Sequence, residues 1–477
     1  QMNLFKDMVC YQEEVRDPSR IAEVLNRVIE KAIRGSAPAQ INVPRDYWTQ
    51  VIDIELPPIV RLERQAGGAA AIEEAAKLLS SAKFPVILSG AGVVIGGAIK
   101  DCVKLAEKLD SPVCSGYQHN DSFPGSHPLA VGPLGYNGSK AAMELIAKAD
   151  VVLALGTRLN PFSTLPGYGI DYWPKNAKII QVDMNSDRIG LTKKVTIGIC
   201  GDAKLVAQQL LSKLSPKAGD ADRQKRKDLI HQTKSAWLQK LSSLDHEEDD
   251  PGTVWNKEAR DRDKDRMSPR QAWRAIQAGM PEDVIISSDI GNNCAIGNAY
   301  PTFEKGRKYL APGLFGPCGY GFPSILGAKI GCPETPVIGF AGDGAFGISM
   351  NEMSSCAREE WPAISMVIFR NYQWGAEKRN TTLWFDNNFI GTELDPKLSY
   401  AKVANACGLK GVTVKTMDET TKAIKQSCED QKKGITTFIE VILNQELGEP
   451  FRRDAMKKPV RVAGIKKGDM KAQKGLN

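Results

Sequence analysis

Residues 336 to 371 read PVIGFAGDGAFGISMNEMSSCAREEWPAISMVIFRN. A short apolar run, Pro336 to Phe340, breaks at Ala341–Gly342–Asp343–Gly344, after which Phe346, Met350, Met353 and Ala357 recur at the spacing of one helix face. A second apolar run, Ile364 to Phe369, follows Trp361–Pro362 and delivers Arg370–Asn371. The unit reads as strand, tight turn, helix, strand, which is βαβ with two strand ends on one edge of a parallel sheet. Open α/β sheets bind ligands outside the carboxyl ends of their strands, so Asp343 and Asn371 are placed to share one.

The residue types suit an anion and a hard cation. Glycine at 342 and 344 lets backbone N–H groups approach a phosphate, and a helix N-terminus favours negative charge. One carboxylate with one amide oxygen suits Mg²⁺, whose other positions are filled by phosphate oxygens and water. An ordinary βα turn, with Gly and Asp serving geometry and capping, is the competing reading of a bare Gly-Asp-Gly. The spacing separates the two. Gly342–Asp343–Gly344, Glu352 and Asn371, with 28 positions from Asp to Asn, resemble the diphosphate-binding signature of thiamine diphosphate enzymes. That resemblance implies Mg²⁺ held by the side chains of Asp343 and Asn371 and the backbone carbonyl of Gln373, with Gly342, Gly344 and Ala345 against the diphosphate. The family has a paired Asn where this chain has Arg370–Asn371, which leaves the ligand itself in place.

Length and composition bound the rest. A chain of 477 residues exceeds one core and suggests about three domains. Its 42% hydrophobic and 25% charged residues belong to a soluble globular protein. No apolar run approaches the length of a membrane span, and the charged start is unlike a signal peptide. Ten scattered cysteines without a C-x-x-C pair fit reduced thiols in a cytoplasm, and the four histidines lack metal-ligand spacing. The net charge of +7 is confined to the end of the chain, where nine Lys and Arg from Arg452 onward face only Asp454 and Asp469. Without a basic stripe interleaved with aromatics, this points away from nucleic acid and toward small anions.

Taken in order, residues 1 to 50 hold one helix, capped by Asp17 with Pro18 at its first position and Ile21, Val24, Leu25 and Val28 on one face. A strand, Gln40–Val43, follows. The segment resembles the closing part of the pyrimidine-binding domain of the same family, which implies an N-terminally incomplete chain with that first domain largely missing. The Glu that activates the cofactor in the family then has no counterpart here, so no catalytic residue is assigned.

Residues 51 to 68 read as a linker, and 69–213 as a central α/β domain with strands Pro85–Leu88, Val151–Leu155 and Ile179–Val182. Its Ser89–Gly90–Ala91–Gly92 and Gly156–Thr157–Arg158 turns suit either a nucleotide phosphate or tight βα packing. In the family this domain binds FAD or ADP in some members and nothing in others. Residues 214–267, broken by Asp249–Asp250–Pro251–Gly252, form a charged connector with an exposed helix.

A diphosphate- and Mg-binding domain, 268–450, opens with Ser268 as N-cap and Pro269 behind it. Its first strand, Val284–Ser288, ends at Asp289–Ile290–Gly291–Asn292–Asn293, where the resemblance places Gly291, Asn292 and Asn293 near the cofactor; a plain turn is the alternative. The segment Gly313 to Pro323 resembles the family turn that buttresses the bent cofactor, which implicates Gly316 and puts Cys318 in place of a Met. The mixed aromatic and charged stretch from Tyr372 to Phe385 suggests a pocket for an anionic substrate, with Trp374, Lys378 and Arg379 as candidates. In the basic tail, 451–477, Arg452 and Arg453 are candidates for bidentate contacts to phosphate or sulfonate.

The expected architecture is therefore α/β, in the three-domain arrangement of thiamine diphosphate enzymes, each domain a parallel sheet with helices on both faces. Gln373 to Leu394, the turn Phe315–Gly321 and the ending Glu446–Val460 resemble the acyltransferase members of the family, which implies conversion of sulfoacetaldehyde and phosphate, two small anions, to acetyl phosphate and sulfite in a cytoplasmic homodimer or homotetramer. An acetolactate synthase-type carboligase or 2-oxo-acid decarboxylase is the alternative enzyme, and a non-catalytic cofactor-binding piece the alternative outside enzymes.

Overall fold

The computed structural model describes residues 1–58, 63–135, 138–165, 170–215, 222–244, 263–313, 315–384 and 388–445. Three parallel sheets organise the chain. In the first, β1 (Tyr11–Glu14) pairs with β2 (Ala39–Asn42), and the helix Ile21–Gly35 packs Val24 and Val28 against Val15. Asp17 caps the preceding 3₁₀ turn by accepting from the Ser19 N–H. The sequence pattern missed β1 and set Leu25 on the inner face, where it is in fact 43% exposed.

The second sheet runs β5-β4-β3-β6-β7-β8, with β3 Pro85–Ser89, β4 Val113–Ser115, β5 Ala130–Pro133, β6 Val151–Leu155, β7 Lys178–Asp183 and β8 Ile197–Cys200. All five residues of β3 and of β6 are buried, as strands covered on both faces require. β4, β5 and β8 were not read from the sequence because three or four residues carry too little pattern. The glycines of the two candidate phosphate turns have a packing role. A Cβ on Gly92 would lie 2.7 Å from the Gly156 Cα, so each turn is close-packed on the other.

The charged connector is not merely solvated. Its helix, Asp222–Leu244, buries Arg226, Ile230, Trp237 and Leu241, one stripe at helical spacing. Ile230 joins the core of the second sheet, whereas Trp237 and Leu241 join that of the third. Arg226 donates to the carbonyls of Lys83 at 2.9 Å and Asp110 at 3.3 Å, and the buried Asp110 carboxylate pairs with Arg223 and Lys227. The break at 249–252 lies outside the described residues.

The third sheet runs β10-β9-β11-β12-β14-β13, with β9 Ile285–Ser288, β10 Tyr309–Leu310, β11 Val337–Gly342, β12 Ser365–Arg370, β13 Lys410–Val414 and β14 Thr437–Ile442. It is entered through the helix Pro269–Gly279, whose N-terminus carries a complete capping box between Ser268 and Gln271. Trp273 of that helix packs on Phe340 and Phe369, ring centroids 4.7 and 5.3 Å away, which fixes the helix over β11 and β12. Thr416 and Glu419 form a second capping box at the helix Met417–Gln431. No helix among the described residues is long and apolar enough to cross a membrane.

Trp237→Ala removes the aromatic that ties the charged helix to the third core. It is expected to destabilise the protein by about 3 kcal/mol in chemical denaturation, against less than about 0.5 kcal/mol for a purely solvated helix.

Candidate active site

The site is built where β11 and β12 end. Gly342 pairs with Phe369 in register, so the next residues, Asp343 and Arg370, come side by side. There is no separate turn after β11: Gly342 is the N-cap and Asp343 the first residue of the helix Asp343–Ser349. The helix expected to run on to Ala357 is instead segmented, with a 3₁₀ turn at Met350–Glu352 before Met353–Cys356.

Asp343 is 1% exposed, and both its oxygens accept hydrogen bonds. Oδ2 takes the Tyr372 N–H at 2.6 Å and Arg370 Nη1 at 3.0 Å, while Oδ1 takes the Gly344 N–H at 3.0 Å. Burial pushes the carboxyl up to about 6, against the opposing pull of Arg370 and the backbone donors. Tyr372 reaches Asp343 by adopting φ 61°, a left-handed conformation uncommon outside glycine. The Tyr400 hydroxyl donates to the Asp343 carbonyl at 2.8 Å, anchoring the backbone behind the carboxylate.

In front of these groups lies a cavity of about 290 Å³ whose wall includes Asp343, Asn371 and Gln373 together. Gly342, Gly344, Ala345, Gly291, Asn292, Asn293, Gly316, Cys318 and Trp374 line it as well. Gly344 is required by its neighbour, since a Cβ there would lie 2.8 Å from the Trp374 indole. Asp289 ties the β9 end to the glycine-rich turn: its carboxylate accepts from Ile290, Gly319 and Gly321 N–H groups, and Gly313, Gly316 and Gly319 all take positive φ.

The wall carries buried amides without partners. Both side-chain polar atoms of Asn292, Oδ1 of Asn293 and Oε1 of Gln373 have none, although each residue is at most 5% exposed. An unpaired buried polar group costs about 1–3 kcal/mol, so these amides fit a polar ligand. Among the described residues no three His, Cys, Asp or Glu gather. A cation here would draw on at most two carboxylates, Asp343 and Glu377, with amide or carbonyl oxygens and the ligand itself, a donor set that suits Mg²⁺. The residues fit a Mg²⁺-bound diphosphate.

The substrate-facing expectations fare less uniformly. Trp374 lines the cavity, but Lys378 does not. The stretch after Asn371 is a helix, Gly375–Trp384, and Lys378 lies on its buried side, 1% exposed, ion-paired with Glu393 and 3.4 Å from Gln445 Oε1. The Arg379 side chain and Arg452 and Arg453 lie outside what is described. The lining residues described include no Lys or Arg. Sequence reading missed Glu377, which lines the cavity from the first turn of that helix, and Tyr117 and Gln118, which follow β4. Gln118 donates to the Gly313 carbonyl at 2.6 Å, closing the cavity from the second sheet. The signal for them was the short run Pro112–Cys114 ending in Ser115–Gly116, another strand-end turn.

Family comparisons agree with this geometry. Residues 72–210 match the thiamine pyrophosphate enzyme central domain and residues 289–441 the C-terminal TPP binding domain. A probable sulfoacetaldehyde acetyltransferase of Rhizobium meliloti is 78% identical over 476 residues, 100% of this chain and 80% of the relative. The sulfoacetaldehyde acetyltransferase of Roseovarius nubinhibens is 73% identical over 473 residues, 99% of this chain and 78% of that protein. A probable acetolactate synthase large subunit of Methanocaldococcus jannaschii is 29% identical over 440 residues, 89% and 70% of the two chains. With Asp343 and Asn371 on one cavity wall inside the matched C-terminal domain, the chain belongs to the thiamine pyrophosphate enzyme family that includes the sulfoacetaldehyde acetyltransferases.

Proposed function

We propose that the protein converts sulfoacetaldehyde and inorganic phosphate to acetyl phosphate and sulfite. The observation that carries this reading is the cavity joining Asp343 to Asn371, in a chain 78% identical over its length to a relative bearing that activity's name. The overall reaction breaks the C–S bond, releasing sulfite, and forms a C–O bond from the former aldehyde carbon to phosphate. Oxidation of that carbon to an acyl group is matched by reduction of its neighbour to a methyl, so no external oxidant is needed and FAD has no chemical task.

Thiamine diphosphate supplies a nucleophilic carbon and an electron sink when bound. The protein's part is holding and shielding. Asp343, Asn371 and the Gln373 carbonyl would hold Mg²⁺, Gly342, Ala345, Gly291, Asn292 and Asn293 would offer N–H and amide groups to the diphosphate, and Gly344, its N–H held by Asp343, would allow close backbone approach. Gly316 and Cys318 support the cofactor from the opposite wall. Trp374, packed on Gly344, excludes water beside it.

Both substrates are anions, and cationic contacts for them come in this reading from Arg379 and from Arg452 and Arg453 of the tail. The protein works as a cytoplasmic homo-oligomer, at least a dimer. The 93% exposed Phe315 on the cavity rim supports a second copy there. A carboligase of the acetolactate synthase type is the weaker reading, because such relatives share only 29% identity or less with this chain.

Four outcomes are expected. Incubation with sulfoacetaldehyde and phosphate yields sulfite and acetyl phosphate in equal amounts, whereas CO₂ and a carboligation product from pyruvate would favour the alternative. Asp343→Ala abolishes Mg²⁺-dependent cofactor binding by calorimetry, and Gly344→Ala, which drives a methyl into the Trp374 ring, weakens it about tenfold, or about 1.4 kcal/mol. Arg452→Ala combined with Arg453→Ala raises the KM for phosphate about tenfold and leaves cofactor affinity unchanged; an unchanged KM removes the tail from substrate binding.

A further inference from the structure

Behind the cavity wall lies a buried ionic triad, Asp343–Arg370–Glu440. Arg370 is fully buried, and Asp343 and Glu440 are 1% and 2% exposed. The guanidinium is hydrogen-bonded at both terminal nitrogens, while Nε makes no hydrogen bond and only faces a carboxylate. Nη1 donates to Asp343 Oδ2 at 3.0 Å, Nη2 donates to the carbonyls of Asp395 and, at 3.0 Å, Leu398, and Nε stands 3.7 Å from Glu440 Oε1. The rings of Tyr372 and Tyr400 lie over it at 4.2 and 5.3 Å. Glu440 is itself pinned on β14, accepting from Ser399 Oγ at 2.6 Å, the Tyr400 N–H at 3.1 Å and Thr413 Oγ1 at 3.2 Å.

We propose that Arg370 is a positioning residue for the divalent cation, fixing the Asp343 carboxylate so that Oδ1 faces the cavity. This rests on the reading of Asp343 as a cation ligand. Two donors at and just beyond the end of β12, Arg370 Nη1 and the Tyr372 N–H, both bond Oδ2 and restrain rotation of the carboxylate, while Nη2 anchors the guanidinium to the Asp395 and Leu398 carbonyls. Oδ1 accepts one hydrogen bond, from the Gly344 N–H, and keeps further acceptor capacity in a residue that lines the cavity. A lone arginine beside the ligand would oppose the cation. Glu440 offsets it, so the triad as a whole retains one negative charge. The outer members of the cradle, Asp395 to Tyr400 and Glu440, thereby reach the cation site through one side chain.

Mg²⁺ demands near-ideal octahedral geometry, whereas Ca²⁺ tolerates varied coordination, so loss of orientation acts on the first far more than on the second. The double variant Arg370→Met/Glu440→Gln removes the inner ion pair as a unit and leaves the charge near Asp343 unchanged. Arg370→Lys keeps the charge and loses the fork. Mg²⁺ and Ca²⁺ dissociation constants are measured by calorimetry at saturating thiamine diphosphate, alongside the melting temperature of each unliganded protein.

In both variants the Mg²⁺ constant is expected to rise at least tenfold and the Ca²⁺ constant less than threefold. Constants equal to the parent's, a parallel rise for both ions, or full Mg²⁺ affinity in Arg370→Lys would each overturn the positioning role. If the double variant fails to fold, Arg370→Lys decides by the same criteria. Failure of the parent chain to bind either ion with the cofactor overturns the cation site itself and this inference with it.

Discussion

A carboxylate kept out of water, yet available on one side, is the constraint around which the third sheet is arranged. Asp343 sits at the end of β11 with Oδ2 taken by Arg370 and the Tyr372 N–H, Oδ1 taken once by the Gly344 N–H, and its backbone held by Tyr400. Burial alone disfavours the charged form of such a group. The donors around it are Arg370 Nη1 and the N–H groups of Tyr372 and Gly344, and Arg370 is held in turn by the carbonyls of Asp395 and Leu398 and by the facing Glu440 carboxylate on the strand beyond. A buried ion pair is weak evidence of stabilisation, because desolvation consumes most of its attraction. Its value here is geometric.

The cavity depends equally on contacts between units. The charged helix Asp222–Leu244 carries one stripe into two cores, with Ile230 in one and Trp237 and Leu241 in the other. That stripe, together with the Gln118 to Gly313 hydrogen bond, brings the β4 end of the second sheet over the glycine-rich turn of the third. On the other side the Asp289 carboxylate accepts from the N–H groups of Ile290, Gly319 and Gly321, tying the end of β9 to the glycine-rich turn. Two walls from two sheets then face each other across the unpaired amides of Asn292, Asn293 and Gln373.

Much of this was legible in the chain because it is locally encoded. The strands β6, β7, β11, β12 and β14 announce themselves as apolar runs ending in Gly, Asp or Asn, and the capping boxes at Ser268 and Thr416 are complete within four residues. Elements of three or four residues, β1, β4, β5 and β8, carry no readable period. Lys378 was misplaced for a related reason. Read as a mixed aromatic and charged pocket stretch, the segment after Asn371 had no helical phase; in the helix Gly375–Trp384 successive side chains turn by about 100°, so Glu377 meets the cavity and Lys378 turns into the protein.

What the sequence by itself determined was the placement at one sheet edge of Gly-Asp-Gly and an Asn 28 positions on, at the ends of adjacent strands, in the spacing that resembles a thiamine diphosphate signature. Only the tertiary structure decided which neighbours those groups answer to. Arg370 looked like a departure from a paired Asn, and its meaning came from Glu440, 70 positions later in the chain, and from the Tyr400 and Tyr372 rings. Backbone turns are written in consecutive residues, whereas the charge balance of a buried site is a sum over side chains that meet only when the strands have packed.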